Sequence, residues 1–260
     1  MNINKELKTV IISGGLGLLG KQFAGTLRSD YNVVVLDMED KVNDYFAIDI
    51  VYNFYVLSCD ITNEECVKTV ISYIYEKWGS IDILINCAAL NPPPKCNVFE
   101  TFENYSLEKW KKTLDVNLTG SFVMTREVIK YMLKGSYKAG FRGTIINIAS
   151  DLGINAPDQD IYEDGYIKPP DYGVSKAGLI GLTKYIASYY GAIIKSVCLA
   201  PGGVYNGQSE QFVKNLTSRI PIGRMATVDE YNGIIKFLCS SDSDYMQGQT
   251  LVADGGRSII

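Results

Sequence analysis

Tyr172 and Lys176 have the residue types and the spacing needed to move a proton to or from an oxygen atom. They are four residues apart in a stretch with a helical pattern, so both side chains are expected on one face of the helix. A fixed positive charge near a phenol favours the phenolate and lowers the phenol pKa from its usual value of about 10. The pair can therefore act as a general acid or base on an alcohol or a carbonyl group.

Ser150 is a third candidate for this chemistry. It follows residues 144–149, a short apolar run rich in β-branched side chains that predicts a buried strand. If this strand ends beside the start of the helix, the Ser150 hydroxyl can hold the substrate oxygen while Tyr172 protonates it.

The spacing of the pair is weak evidence when it is taken alone. The chain has 18 tyrosines, and Tyr73/Lys77 and Tyr105/Lys109 repeat the same separation. The usual alternative for such a pair is a solvated helix face. Only the elements around each pair can distinguish them.

Composition excludes several classes of function. The 260 residues, 47% of them hydrophobic, predict one large α/β domain over 1–260. The net charge of −4, with no run of Lys or Arg, argues against a nucleic-acid partner. The chain has no histidine, which excludes Ser-His-Asp and Cys-His catalysis and the usual zinc sites, so no metal is predicted.

Targeting signals and cysteine usage predict a soluble protein of the cytoplasm. The first residues lack the apolar core of a signal peptide, and no apolar run is long enough to span a membrane. Six cysteines without a Cys-x-x-Cys pair are typical of reduced, mostly buried thiols.

A glycine-rich turn near the start predicts a dinucleotide site. Residues 9–12 are a predicted strand, a helix is expected to begin at Lys21, and Gly15, Gly17 and Gly20 between them fit G-x-G-x-x-G. Such a turn lets the backbone approach a pyrophosphate at the helix N-terminus, although a glycine-rich turn that binds nothing is the alternative.

Asp37 ends the second predicted strand, 32–36, and indicates which dinucleotide is bound. A carboxylate at this place accepts hydrogen bonds from the adenosine ribose and repels a 2′-phosphate, which favours NAD over NADP. Alternatively, Asp37 only ends its strand.

The remaining pattern alternates strands and helices. Continuously apolar strands are predicted at 53–59, 81–85, 194–200 and 250–253, as expected for parallel strands covered on both faces. Helices are predicted at 106–134, at 227–239 and, after a Thr62 cap, up to Trp78, whereas 204–222 is predicted to lack firm structure and to form a mobile lid. The fold class is therefore α/β, a single doubly wound parallel-sheet Rossmann domain with helices on both faces.

Asn117 is unusual in the middle of the 106–134 helix because asparagine lowers helix propensity. A polar role at the site explains its presence, and local bonding between its side chain and the backbone is the alternative.

The chain resembles the short-chain dehydrogenases/reductases over nearly its whole length. The resemblance is carried, in the family's order, by the glycine-rich turn 14–20, Asp60, Asn86-Cys87-Ala88, Asn117, Ser150, Tyr172-x-x-x-Lys176, Pro201-Gly202 and the ending 248–256. It implies one Rossmann domain, a homotetramer or homodimer, and a catalytic tetrad of Asn117, Ser150, Tyr172 and Lys176.

The same resemblance implies a role for each residue. Tyr172 is the general acid or base, Ser150 orients the substrate oxygen, Lys176 lowers the Tyr172 pKa and binds the nicotinamide ribose, and Asn117 holds a water in a proton relay. The implied cofactor contacts are Gly14, Gly17, Leu18, Leu19, Asp37, Asp60, Ile61, Asn86, Ala88, Tyr172, Lys176, Pro201, Gly202 and Val204.

Departures from the family pattern point to the substrate. Leu18 replaces a glycine, leaving Gly14-x-x-Gly17-x-x-Gly20 as in the longer branch that modifies sugar nucleotides, whereas the length and the C-terminal ending resemble the compact branch. After Pro201-Gly202 the family often has a threonine, and Asn206 is nearby instead. The loop 151–171 is longer than usual and contains an acidic insert, 158–164, so substrate fit is expected in this loop and in the lid 204–222.

The long loop and the residues after the catalytic pair resemble a subgroup that makes sugars of bacterial surface glycans and flagellin. The complete tetrad in its Rossmann context predicts an NAD(H)-dependent alcohol/carbonyl oxidoreductase, and this likeness implies that its substrate is a sugar, sugar phosphate or nucleotide sugar. Lys214, Arg219 and Arg224 either meet a phosphate or form a solvated surface. A 3-oxoacyl carrier-protein reductase, a sugar epimerase or dehydratase, and a non-catalytic NAD(H)-binding regulator are the alternatives.

Overall fold

A seven-stranded parallel sheet forms the centre of the molecule. The structure is a computed structural model that describes residues 6–38, 40, 54–91, 100–134, 140–162 and 165–260. The strand order is β3-β2-β1-β4-β5-β6-β7, and every neighbouring pair is parallel. The strands are β1 Thr9–Ser13, β2 Asn32–Asp37, β3 Phe54–Ser58, β4 Ile83–Asn86, β5 Gly143–Ile148, β6 Ile194–Pro201 and β7 Thr250–Ala253.

Helices cover both faces of this sheet, which confirms the predicted doubly wound α/β class. In the described part of the chain they are α1 Leu18–Leu27, α2 Glu64–Trp78, α3 Leu107–Leu114, α4 Ser121–Met132, α5 Pro170–Tyr190, α6 Glu210–Thr217 and α7 Asn232–Cys239. Short 3-10 turns occur at Phe102–Asn104, Asp151–Gly153, Gln159–Ile161, Val228–Tyr231, Ser241–Ser243 and Arg257–Ile259. Each of these described helices is too short or too polar to cross a bilayer.

The core consists of two apolar layers, one on each face of the sheet. Successive strand residues point to opposite faces, so Ile12 packs in the layer with α1 and α7, whereas Ile11 packs in the layer with α2 and α4. Every residue of β1 is buried. Because all seven strands run in one direction, their carboxyl ends meet at the same edge of the sheet, where ligands bind in this architecture.

Two predicted helix starts differ from the structure. Asn63, and not Thr62, caps α2, because the Asn63 side chain accepts hydrogen bonds from the backbone N–H groups of Glu65 and Cys66, both at 3.1 Å. The Thr62 hydroxyl instead donates to Asp60 Oδ1 at 2.7 Å. At α1, Gly17 is the N-cap with extended backbone, so the helix begins at Leu18, three residues earlier than predicted.

The prediction that 204–222 lacks firm structure is wrong. The segment contains α6, whose N-terminus is capped by Ser209 through a hydrogen bond from Phe212 N at 3.2 Å. Only Leu216 is buried within α6, so its short apolar stripe gave little periodicity in the sequence.

The predicted helix 106–134 is continuous but irregular. Residues Asp115–Gly120 form a π-helical turn between α3 and α4. Such insertions are rare and are frequent at functional sites. Residues 163–164 of the acidic insert, Cys96 and most of the loop after Asn91 lie outside the described residues.

Candidate active site

A large crevice opens at the carboxyl ends of the strands. Its volume is about 1810 Å³, more than the roughly 300–1,000 Å³ of a site for one drug-sized ligand. The strand order reverses at β1 and β4, the position where open parallel sheets bind ligands. The predicted site residues that line it are Gly14, Gly17, Leu18, Leu19, Asp37, Asp60, Ile61, Ala88, Ser150, Tyr172, Lys176, Pro201, Gly202 and Val204.

Tyr172 and Lys176 face this crevice from α5, and the end of β5 holds them in place. Lys176 Nζ donates a hydrogen bond to the carbonyl oxygen of Ile148 at 2.8 Å and lies 5.7 Å from the centre of the Tyr172 ring. Ile148 is the last residue of β5, and Ser150 follows two residues later. One strand end therefore positions both Ser150 and the Lys176 ammonium.

The other two Tyr-x-x-x-Lys pairs do not form such a site. Lys77 donates to the Tyr73 hydroxyl at 3.0 Å on an exposed part of α2. Tyr105 donates to Asp171, and Lys109 forms an ion pair with Glu100 at 2.6 Å. Both pairs lie outside the lining of the crevice.

Ser150 is held by its neighbours in the chain. Its hydroxyl accepts a hydrogen bond from Leu152 N at 3.2 Å and donates one to Asp151 Oδ1 at 2.8 Å. The other Asp151 oxygen accepts from Arg257 Nη1 at 2.6 Å. Arg257 therefore fixes the carboxylate that orients the Ser150 hydroxyl.

Burial dominates the electrostatics of the pair. It raises the pKa of Tyr172 to about 12, with Asp151 and Cys87 adding to the increase and a hydrogen bond with Ser150 opposing it. Burial also lowers the pKa of Lys176 to about 8. The expectation of a lowered Tyr172 pKa is therefore wrong for this structure, because desolvation of the phenolate outweighs the hydrogen bond with Ser150. At neutral pH Tyr172 keeps its proton and is ready to donate it.

Asn117 stands behind the crevice and does not line it. Its side chain is fully buried; Oδ1 accepts from Leu90 N at 2.6 Å, and Nδ2 donates to Leu90 O at 3.1 Å and to Ser175 Oγ at 3.0 Å. These partners are distant in sequence, which excludes the alternative of local bonding. Asn117 ties the segment after β4 to α5 beside Lys176, and its role in a proton relay stays a prediction.

The glycine-rich turn passes close to the segment after β4. Gly14 has a φ of +66°, and a Cβ atom there would lie 2.5 Å from the Cα of Ala88. A Cβ on Gly20 would lie 2.3 Å from the Gly14 carbonyl oxygen. Gly15 faces the Val35 side chain in the core. The glycines that line the crevice are therefore Gly14, Gly17 and Gly20, and not the Gly15, Gly17 and Gly20 of the G-x-G-x-x-G match.

The residues around this turn fit a dinucleotide. Within the described residues no side chain caps α1, so the N–H groups of its first turn are left for an anion such as a pyrophosphate. The Asp37 carboxylate lies in the crevice wall and accepts from Leu16 N and Met38 N, both at 3.0 Å. Asp37 therefore fixes the turn as well as ending its strand. Asp60 supplies a second carboxylate at the end of β3.

Asn86 was predicted to contact the cofactor, but it does not line the crevice. It is 1% exposed, and its Nδ2 donates to Thr125 Oγ1 at 2.9 Å and to Asn147 Oδ1 at 2.8 Å. The crevice is lined instead by the next residues, Cys87 and Ala88. Asn86 belongs to a buried polar network that joins β4 to β5.

The cations predicted to meet a phosphate do not line the crevice. Arg219 forms an ion pair with Asp158 at 3.1 Å, Arg224 forms one with Glu230 at 2.6 Å, and Lys214 is exposed. The charges that the sequence analysis missed include Lys168 in the loop 151–171 and the pair of Arg257 with Asp151, which chain folding alone brings here. Glu108, Lys111 and Lys112 of α3 and Asp115 of the π-helical turn also line the crevice. The loop itself was predicted to contact substrate, but no pattern within it distinguished Lys168.

The aromatic side chains of the crevice were also missed. Tyr162 and Tyr166 of the long loop have ring centres 5.0 Å apart, and Phe212 of α6 lies 5.5 Å from Tyr162. All three line the crevice. The loop and α6 therefore form one wall together.

The chain is similar to proteins of known sequence and structure. A family profile described as Enoyl-(Acyl carrier protein) reductase matches residues 19–258. The 3-oxoacyl-acyl-carrier-protein reductase FabG of Thermotoga maritima is 32% identical over 211 residues, which cover 79% of this chain and 76% of that protein. The 2,5-dichloro-2,5-cyclohexadiene-1,4-diol dehydrogenase of Sphingobium indicum is 28% identical over 262 residues, covering 97% and 98%. A solved short chain dehydrogenase of Leptospira borgpetersenii with bound NAD+ has a TM-score of 0.84 and 32% identity, covering 99% of this chain and 97% of that one.

Proposed function

Since the chain belongs to the short-chain dehydrogenase/reductase family, we propose that it is an NAD(H)-dependent oxidoreductase that interconverts a secondary alcohol and a ketone. The observation that carries this proposal is the convergence of Tyr172, Ser150 and Lys176 on one crevice with the uncapped start of α1. Two of its relatives, a reductase and a diol dehydrogenase, are named for reactions at carbon–oxygen bonds.

Each residue of the site has a separate task. When bound, the nicotinamide cofactor exchanges a hydride with the carbon of the alcohol or ketone. Tyr172 gives its proton to the oxygen in reduction and takes it back in oxidation, and the Lys176 ammonium stabilises the phenolate between these events. To hold a carbonyl oxygen, Ser150 turns its proton from Asp151 toward the substrate.

Asp37 supports NAD rather than NADP. Asp37 is 6% exposed at the end of β2 and lines the crevice where the adenosine ribose is expected. The 2′-phosphate of NADP would bring negative charge next to the Asp37 carboxylate and be repelled by it, whereas the 2′-hydroxyl of NAD would not. The Leptospira relative was solved with bound NAD+, which agrees with this preference.

The substrate we propose is a sugar, a sugar phosphate or a nucleotide sugar. The wall formed by Tyr162, Tyr166 and Phe212 presents aromatic faces and two hydroxyl groups, which suits a ligand with both apolar and hydroxylated surfaces. The whole crevice is large enough for a dinucleotide and such a substrate together.

A 3-oxoacyl carrier-protein reductase is the second candidate. It is favoured by the similarity to FabG of Thermotoga maritima and by the description of the matching family profile. Such an enzyme accepts acetoacetyl thioesters.

One assay separates the two candidates. The protein is incubated with NADH or NADPH and, in turn, with ketoses, ketose phosphates, nucleotide 4-ketosugars and an acetoacetyl thioester, and loss of the reduced nicotinamide is followed by absorbance. Our proposal predicts turnover of a sugar derivative with NADH. Turnover of the thioester with strong preference for NADPH establishes the second candidate instead.

We also propose a homotetramer or a homodimer, as the family resemblance implies. Light scattering coupled to size-exclusion chromatography measures the mass in solution, and a monomer of 28.8 kDa contradicts this proposal.

A further inference from the structure

Lys168 places a second ammonium group beside Tyr172. Its Nζ lies 4.7 Å from the centre of the Tyr172 ring and donates a hydrogen bond to Asn91 Oδ1. Lys168 and Asn91 both line the crevice. The Lys168 ammonium is therefore close to the phenol that we propose exchanges the proton.

The loop that carries Lys168 is tied down on both sides. The Gln159 amide accepts from Lys168 N at 2.8 Å and donates to Lys168 O, so it fixes the backbone of this residue. Ile161 is buried against Leu216 of α6, and Asp158 pairs with Arg219. The ammonium is therefore presented by a supported backbone, as a selective binding group requires.

The Lys168 charge has no anionic partner among the described residues. Its hydrogen-bond acceptor is a neutral amide, and no carboxylate of the described chain forms an ion pair with it. Arg257, another cation of the crevice, is paired with Asp151. Burial lowers the pKa of Lys168 to about 8, and the more distant Asp171 and Asp151 oppose this effect. A partly desolvated cation whose hydrogen-bond acceptor is a neutral amide gains free energy when an anion binds beside it.

We propose that Lys168 binds an anionic oxygen group, a phosphate or a carboxylate, of the substrate next to the carbon that is oxidised or reduced. This inference rests on the proposed function and narrows it to alcohols and ketones that carry such a group close to the reacting carbon. The anionic group must be close to the reacting carbon because Lys168 Nζ is only 4.7 Å from the centre of the Tyr172 ring. A lysine suits the task because its ammonium acts as a point charge toward phosphate and carboxylate oxygens.

Matched ligand pairs test the proposal by binding alone. The protein loaded with NAD+, which has no hydride to give to a ketone, is titrated by calorimetry with dihydroxyacetone phosphate and with neutral dihydroxyacetone, and separately with acetoacetate and with its neutral methyl ester. The expected result is that at least one anion binds about tenfold or more tightly than its neutral partner. The two pairs distinguish a phosphate from a carboxylate.

Variants assign this preference to the side chain. Lys168→Met and Lys168→Gln are each expected to remove most of the tenfold preference, whereas Lys168→Arg retains it. Lys184→Met is the matched control, because Lys184 is exposed on α5 and lies outside the crevice lining. Equal binding of the anionic and neutral ligands by the unchanged protein overturns the proposal. A preference that survives both Lys168→Met and Lys168→Gln overturns it as well.

The failure of this inference differs from the failure of the proposed function. If neutral ketones are reduced with NADH and anions have no advantage, the oxidoreductase proposal stands and the role of Lys168 is wrong. If anions bind through Lys168 and neither they nor the panel of ketones is reduced, the role of Lys168 stands and the catalytic proposal is wrong.

Discussion

Arg257, three residues before the end of the sequence, forms an ion pair with Asp151, the residue that follows Ser150, at 2.6 Å. The two side chains are 11% and 5% exposed. A buried carboxylate that loses its partner keeps an uncompensated charge, which typically costs about 3–5 kcal/mol.

We therefore predict that Arg257→Met lowers the free energy of unfolding by about 3 kcal/mol, as measured by urea denaturation. Lys68→Met, which removes two exposed ion pairs on α2, is the control and is expected to change the free energy of unfolding by less than about 1 kcal/mol. Equal effects of the two substitutions would show that the Arg257 pair is no more than a surface contact.

Asn117 is predicted to support the site through its three hydrogen bonds. Asn117→Leu leaves the Leu90 N–H and carbonyl without a partner, so a loss of about 3 kcal/mol in unfolding free energy and a lower kcat are expected. Asn104→Ala removes an exposed hydrogen bond to Thr101 and serves as the control. An Asn117→Leu protein with unchanged stability and rate contradicts the prediction.

Gly14 tests the close approach of the glycine-rich turn. Gly14→Ala must place a Cβ 2.5 Å from the Ala88 backbone at a φ of +66°, so both stability and NADH affinity are expected to fall. Gly25→Ala in α1 meets nothing within 4 Å and is expected to stabilise the helix by about 0.5–1 kcal/mol. Thermal unfolding measures the stability of both variants, and NADH titration measures their affinity for the cofactor. Normal NADH binding by Gly14→Ala would contradict the prediction that the cofactor site requires glycine at this position.

The pKa values of Tyr172 and Lys176 predict opposite pH dependences for the two directions. Oxidation needs the phenolate, and because the Tyr172 pKa is about 12, its fraction grows about tenfold per pH unit below that value. Reduction needs the neutral phenol and the charged ammonium, so it is expected to be constant up to about pH 8 and to decline above, where Lys176 loses its proton. Profiles of kcat/KM in each direction measure this, and an oxidation rate that decreases from neutral to alkaline pH is incompatible with it.

Local patterns were enough to predict the framework of this protein. The strands are continuous apolar runs, a feature that depends on neighbours in the sequence and that a single chain therefore displays. The family resemblance distinguished Tyr172/Lys176 from the pairs at Tyr73 and Tyr105, which the structure places outside the crevice.

The features that escaped prediction depend on distant contacts. The raised pKa of Tyr172 comes from burial, which spacing along a helix does not report. The presence of Lys168 and Arg257 in the crevice depends on how a loop and the last turn of the chain fold back. The sequence marked Asn117 as unusual in mid-helix, but only the structure shows that its partners are Leu90 and Ser175.

The most direct test of the central claim is the rate of Tyr172→Phe with a substrate identified by the panel assay. The claim is that the Tyr172 hydroxyl exchanges the proton, so removing that one oxygen is expected to reduce kcat by about 100-fold or more, the usual contribution of a general acid, while NADH still binds. Tyr73→Phe, from the exposed pair on α2, is expected to leave kcat unchanged. A Tyr172→Phe protein that binds NADH and turns over at a rate close to the unchanged protein contradicts the account.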